Sequence, residues 1–282
     1  MSRKVAICFF GITRSLNYTH TSIEANVLAP ARKLSSPKVY AHFFLQKEID
    51  NPRTGEKGQL DHEQHRLLPI DWLKLEDPDR CLGQWNFEGL KAWGDSWGDD
   101  FRSMRNLIHQ LHSLYVVTEA ALADGAEVCL VCRPDLLYHD SLDPVLARAL
   151  RTKGDCVFLP FWQGYRGLND RFAICVGPKA IAAYGQRILM AEAYCRERGV
   201  ALHSERLLAF SLKKVGVRVQ LIGARATRVR MNAAQFEEDF SKHRIRDILY
   251  PRLAALSPWL AALPDRPGMG QSIRNLLRRG GL

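Results

Sequence analysis

The sequence predicts an α/β fold: a mostly parallel sheet flanked by helices, followed by a helical, basic C-terminal tail. Three observations carry that expectation. Apolar runs such as VAICFF at residues 5–10 and EVCLVC at 127–132 lack polar alternation, as strands covered on both faces do. These runs alternate with stretches whose apolar residues recur at helical spacing. The third is size: 282 residues, 46% hydrophobic and 25% charged, suit one large globular domain with an extension.

The elements follow in order. Residues 5–10 form the first strand, broken by Gly11 and the polar Thr13-Arg14-Ser15. Residues 22–34 read as a helix broken near Pro30, because proline lacks a backbone donor and clashes with the preceding turn. KVYAHFFL (38–45) reads as a second strand, residues 46–66 as a polar irregular stretch, and WLKLED (72–77) as a short third strand. The aromatic segment 85–97, with its Gly and Asp residues, reads more as loop than as element. From Phe101 to Ala123 the residues Met104, Leu107, Ile108, Leu111, Leu114, Tyr115 and Ala121 fall at helical spacing, and Asp124-Gly125 closes the helix. EVCLVC is then a buried strand stopped by Arg133-Pro134-Asp135. CVFLP (156–160) and RFAICV (171–176) read as strands, and 178–198 as a helix ended by Gly199. Residues 204–215 read as a helix N-capped by Ser204, and 217–222 as the last strand. The tail from Asn232 reads as helical, cut by Pro251, Pro258, Pro264 and Pro267, so the chain divides into a main domain, 1–231, and a basic helical extension, 232–282.

Composition excludes several classes. No apolar run approaches the roughly 18 residues that span a bilayer. The 20 Gly and 13 Pro are too few for a fibrous or disordered chain. Cys129 and Cys132 form a CxxC, but three residues apart in a strand they face opposite sides, so they read as buried hydrophobes. With seven Cys and no zinc-finger spacing, the chain reads as a cytoplasmic protein without structural disulfides. Ser2-Arg3-Lys4 before an apolar run imitates a signal peptide, but no cleavage site follows and the run reads as a strand. The net charge of +10 is uneven: from Lys242 onward eight Lys/Arg face two Asp/Glu. A basic chain favours anionic partners.

No GxGxxG, GxxxxGK[ST], HExxH or GxSxG occurs. The pairs His62/His65 and His109/His112 lack a neighbouring ligand cluster in the sequence and read as structural. Three segments carry chemistry. Arg133-Pro134-Asp135 offers a cation and a carboxylate at the end of a buried strand, where open α/β sheets bind ligands. It reads equally as a salt-bridged turn. Gly167-Leu168-Asn169-Asp170-Arg171 has turn chemistry, and with Trp162 and Tyr165 it could also bind a sugar by stacking and hydrogen bonding. Ser204-Glu205 opens a helix, where an acid is equally a good dipole partner.

In order, these residues resemble the GT-A class of nucleotide-sugar glycosyltransferases, above all bacterial enzymes of surface polysaccharide and lipopolysaccharide synthesis. The pattern is an apolar strand with Gly11 and Arg14, a long helix, a strand, Arg-Pro-Asp, Asn-Asp-Arg-Phe-Ala, and an acid-helix-Gly216-strand unit. It covers roughly residues 4–225. The resemblance implies a Rossmann-like GT-A catalytic domain and a hexosyltransferase-like activity. It implies a nucleotide-sugar donor held by Gly11, Arg14, Arg133, Asp135, Asn169 and Arg171, and a glycan or glycolipid acceptor near Trp162 and Tyr165. Asp135 falls on the metal-binding aspartate of a shortened Asp-x-Asp motif, implying Mn²⁺ or Mg²⁺ on the departing diphosphate. Arg133 replaces the first aspartate and could do part of the cation's work. Glu205 falls on the catalytic base, with Asp170 next in line; Ser204 departs from the family's acidic pair.

The basic tail, with SPWLAAL and SIRNLLRR, has the composition of an interfacial helix and suggests peripheral contact with the inner membrane face. A non-catalytic nucleic-acid-binding protein is the competing class, disfavoured because the charge gathers at one end without interleaved aromatics. A sugar-binding relative without turnover is another. At the end of a strand Asp135 is expected to contribute little core, so its substitution is expected to spare the fold.

Overall fold

The structure, a computed structural model, describes residues 3–51 and 55–240. Its strands are β1 (Val5–Gly11), β2 (Lys38–Phe44), β3 (Glu48–Asn51), β4 (Glu56–Gln59), β5 (Trp72–Glu76), β6 (Val128–Cys132), β7 (Leu136–Tyr138), β8 (Cys156–Pro160), β9 (Ala173–Val176), β10 (Arg218–Ile222) and β11 (Ala226–Arg228). The helices are α1 (Leu16–Ile23), α2 (Ala29–Leu34), α3 (Arg80–Gln84), α4 (Phe87–Lys91), α5 (Arg102–Ala123), α6 (Asp143–Arg151), α7 (Pro178–Gly185), α8 (Ala191–Arg198) and α9 (Ser204–Val215).

Seven strands form the central sheet in the order β10-β8-β9-β6-β1-β2-β5. All neighbours pair in parallel except β9, which runs antiparallel to both β6 and β8. The fold is therefore α/β with a mostly parallel sheet, as expected. Alternation of side chains along each strand splits the core into two layers. Ile7, Phe9, Leu130, Cys132, Phe158 and Ile174 face one side, with Leu16, Ile23 and Leu146 from the helices packed on them. Ala6, Cys8, Phe10, Cys129, Val131 and Cys175 face the other, against Leu114, Val117 and Ala121 of α5 and Leu208 and Leu212 of α9. Cys129 and Cys132 thus diverge into different layers, and all seven cysteines are buried and free.

Several expectations are corrected. The first helix starts at Leu16 and passes Pro30 without breaking. A π-turn at Glu24–Leu28 lets Ala29 N–H reach Glu24 O, and Pro30 falls in the first turn of α2, where a missing donor is tolerated. Segment 46–66 holds the hairpin β3–β4 and a 3₁₀ turn, and 85–97 contains α4, whose N-cap Asn86 accepts from Gly89 N–H. The helix expected over 178–198 is interrupted by a 3₁₀ turn at Arg187–Met190. Residues 232–240 are not helical: Val229 bridges Gln235, and Phe240 packs edge-on against Trp162 with ring centroids 5.0 Å apart. The rest of the expected helical extension lies outside the described residues.

Candidate functional site

From β1 the chain steps outward to β2 and β5, then returns through α5 to β6 on the other side of β1. The carboxyl ends of β1 and β6 therefore flank a topological switch point, the place where open α/β sheets leave a crevice. Gly11 ends β1 at φ 108°, a conformation that side-chain-bearing residues rarely adopt, and its N–H donates to Ser113 Oγ at 2.8 Å. Arg14 follows in the turn, and Arg133 and Asp135 leave the end of β6.

These residues meet. Arg133 grips Asp135 in a fork, Nε to Oδ1 at 2.9 Å and Nη2 to Oδ2 at 2.7 Å. Arg14 Nη2 donates to the same Oδ2 at 2.5 Å, and its Nη1 donates to Glu56 Oε2 at 3.1 Å. Arg230 Nη1 reaches that Glu56 oxygen at 2.7 Å. Burial pushes the Asp135 carboxyl up, but Arg133 and Arg14 outweigh it and hold it well below the usual range. Asp135 is 3% exposed, so it is a buried counter-ion rather than an open strand-end ligand. With both oxygens gripped by guanidinium donors, it does not fit the divalent-cation role that the resemblance implies.

The network continues through α5. Arg133 Nη1 donates to Gln110 Oε1 at 3.0 Å, and Gln110 Nε2 donates to Asp170 Oδ2 at 3.2 Å. Asp170 also accepts from Ser204 Oγ and lies 3.5 Å from Arg187 Nη2. Burial opposes its charge, but Arg187 and Arg171 outweigh it and lower its pKa. A carboxylate so held positions α5 and α9 and is poorly placed to accept a substrate proton. Ser204 is accordingly not the cap of α9; His203 is the N-cap, and the Ser204 hydroxyl serves Asp170 instead.

Two expected sugar contacts are corrected. Trp162 is fully buried, its indole N–H donating to Ala224 O at 2.9 Å, so it presents no face to an acceptor. Asn169 staples its own turn: Nδ2 donates to Trp162 O at 2.5 Å, and Oδ1 accepts from Arg171 N–H at 2.9 Å. Tyr165 does stand exposed, in a loop where Gln163, Tyr165 and Arg166 all take positive φ. Gly167 anchors that loop to α9; a Cβ there would lie 2.1 Å from Glu205 O. Glu205 is mostly buried in the first turn of α9, with Oε2 3.2 Å from His203 Nδ1. His203 in turn stacks on Trp97.

A second cluster, at the carboxyl ends of β2 and β5, escaped the sequence reading. His42, Glu76 and His112 bring three potential ligand atoms within 4.8 Å of one another. The hydrogen bonds favour a proton network over a metal centre. Trp85 Nε1–H donates to His112 Nδ1 at 2.9 Å, which leaves the His112 proton on Nε2, facing Glu76 at 3.3 Å. A protonated Nε2 has no lone pair for a cation, and Lys74 Nζ also lies 3.2 Å from that Glu76 oxygen. Burial holds His42 down at about 4 despite Glu76, while His42, His112 and Lys74 outweigh burial to hold Glu76 at about 2.

No protein-family model and no curated protein matches the sequence. Among solved structures, the chain is similar to mouse xyloside xylosyltransferase 1, with 9% identity over 78% of this chain and 85% of that one, at a TM-score of 0.41. It is similar to the galactosyltransferase LgtC, with 12% identity over 76% of this chain and 72% of that one, TM-score 0.42. A putative glucose-1-phosphate thymidylyltransferase from Bacillus anthracis gives 10% identity, 80% and 89% coverage, and a TM-score of 0.38. Two of the three carry the name of a glycosyltransferase, the class the sequence resembles. At this level of likeness the reading of the site rests on its own residues.

Proposed function

We propose that the protein is a glycosyltransferase that moves a sugar from a nucleotide-diphosphate donor to a glycan or glycolipid acceptor. The observation that carries this reading is the gathering of Arg14 and Arg133 around Asp135 at the β1–β6 switch point, where open α/β sheets bind ligands. Arginine forks there suit a diphosphate, and the open φ of Gly11 keeps the β1 end clear of a side chain. Tyr165 is the exposed aromatic left for the acceptor side, and Glu205 is the carboxylate for the attacking hydroxyl. The chemistry assigned to this chain is to bind the donor, exclude water beneath it and take one proton at Glu205. A role in surface polysaccharide synthesis follows from the sequence resemblance and belongs to the same proposal.

A panel of nucleotide sugars in a thermal-shift assay tests it, because a ligand that binds only the native state raises the melting temperature. The matching donor should then support transfer, and Glu205→Gln should lower the rate by about 10²–10⁴ with donor binding unchanged. No shift by any donor, or full turnover in Glu205→Gln, overturns the reading or its base respectively.

A further inference from the structure

One guanidinium at the end of β6 is buried without a close ion pair: Arg171 is near enough to Asp170 to lower that carboxyl's pKa but forms no salt bridge with it. Arg171 is 6% exposed, yet among the described residues its side chain makes one hydrogen bond, to the neutral Gln163 Oε1 at 3.4 Å, and its Nε meets no partner. Burying a guanidinium with so little compensation is costly unless an anion is expected there.

Topology says where it sits. The antiparallel register of β6 and β9 ends at the pair Val131–Ala173, and Arg133 and Arg171 each lie two residues beyond it. The register of β11 and β7 pairs Arg228 with Leu136, and Val229 N–H donates to Asp135 O at 2.9 Å. Three arginines from three separate segments thus gather at the end of β6. Burial, with the charges of Arg171 and Arg133 near it, lowers the Arg228 pKa to about 10 although Glu238 opposes this. The side chains of Arg133 and Arg228 each keep 15% of their surface exposed, so the cluster opens to solvent.

The carboxylate facing this cluster from the 229–240 segment is a partial partner. Glu238 Oε1 accepts from Arg228 Nε at 3.1 Å, while its buried Oε2 has no hydrogen bond. Phe236 covers the other side of Arg228, its ring centroid 4.2 Å from the guanidinium carbon.

We propose that Arg133, Arg171 and Arg228 form a metal-independent binding site for a diphosphate, and that Glu238 is the internal carboxylate the ligand displaces. This rests on the donor reading only for calling the ligand a nucleoside diphosphate; the anion site stands on the arginines. The Asp135 geometry agrees, because the carboxylate that would hold a bridging cation is already engaged by Arg14 and Arg133.

Titration of the full chain with inorganic pyrophosphate in EDTA, followed by calorimetry, tests the site. Binding is expected without metal. Arg171→Gln is expected to weaken it about 10–100-fold, the range of a lost charge-assisted hydrogen bond. Glu238→Gln is expected to tighten it several-fold by removing the competing charge. Binding that appears only on adding Mn²⁺, or equal affinity in Arg171→Gln, overturns the proposal. If Arg171→Gln fails to fold, Glu238→Gln decides, and unchanged affinity there overturns it. The two readings fail separately. Metal-free pyrophosphate binding with no turnover of any nucleotide sugar keeps the anion site and removes the transferase. Mn²⁺-dependent turnover that survives Arg171→Gln keeps the transferase and removes the anion site.

Discussion

At the scale of single residues, Asp135 shows how position in a fold changes a side chain's meaning. Its segment was legible, because a cation-proline-carboxylate sequence after an apolar run marks the end of a strand. Its burial was not, because the groups that enclose it, Arg14 and the backbone of Val229, lie far away in the chain. Asp135→Ala is therefore expected to destabilise the protein by about 3–5 kcal/mol, since it leaves two buried guanidiniums without their shared counter-ion. Urea denaturation measures this, and a change under about 1 kcal/mol would show the pair to be solvated. The same logic separates Arg171 from Arg187. Both are buried and both lower the Asp170 pKa, but Arg187 has the Tyr184 carbonyl at 2.7 Å and Asp170 at 3.5 Å, whereas the Arg171 side chain hydrogen-bonds only an amide oxygen. Arg228, Glu56 and Glu238 left no trace in the sequence: each stands among other charges, Arg228 near Arg230, Glu56 beside Lys57 and Glu238 between Glu237 and Asp239, and only the fold singles it out.

At the scale of elements, the strands that the sequence showed best are the ones buried on both faces. β1 and β6 carry unbroken apolar runs because helices cover each side of them. The direction of β9 was illegible: Ala-Ile-Cys-Val has the same composition whichever way it runs. His112 illustrates a partner problem. Its sequence neighbour His109 drew attention, but its companions come from β2 and β5, and Trp85 fixes its tautomer from outside α5. This network and His109 give the fold an acid sensitivity with a defined sign. Burial holds His42 and His109 at about 4 in the native state, below their ordinary 6.5. The unfolded chain therefore takes up protons first, and stability present above pH 6.5 is lost as pH falls toward 4, by about 3 kcal/mol per histidine. Glu76, held at about 2, extends the loss below pH 4.5. Denaturant titrations from pH 7.5 to 4.5 should show this decline, and His109→Leu, packed beside Phe44, should flatten part of it, with His42, His112 and His139, which burial also lowers, carrying the remainder. A flat profile in the parent chain would mean that the histidines are hydrated.

At the scale of the whole molecule, charge is partitioned as well as abundant. The net charge is +10, and the eight Lys/Arg against two Asp/Glu from Lys242 onward leave only +4 for the preceding 241 residues. The positive charge gathered around the end of β6 is largely internal, with Arg14, Arg133, Arg228 and Arg230 each paired to Asp135, Glu56 or Glu238. Long-range attraction to an anionic surface must therefore come mostly from the last 41 residues. No helix among the described residues is long and apolar enough to cross a membrane. A surface-bound enzyme would then depend on that basic segment, with each cation near an anionic leaflet contributing about 1 kcal/mol. Truncation after Phe240 is the informative cut, because Phe240 still packs on Trp162 and the segment bearing Glu238 is retained. The shortened chain is expected to keep its fold and its metal-free pyrophosphate affinity. It should lose most of its association with vesicles containing anionic lipid, and that difference should shrink as salt rises from 50 to 500 mM through screening. Equal vesicle binding by the two chains would place the attraction on the folded domain and remove the tail from any membrane role. Salt-sensitive binding of the full chain to DNA, lost in the truncation and unaccompanied by any response to vesicles or nucleotide sugars, would instead assign the tail to nucleic acid.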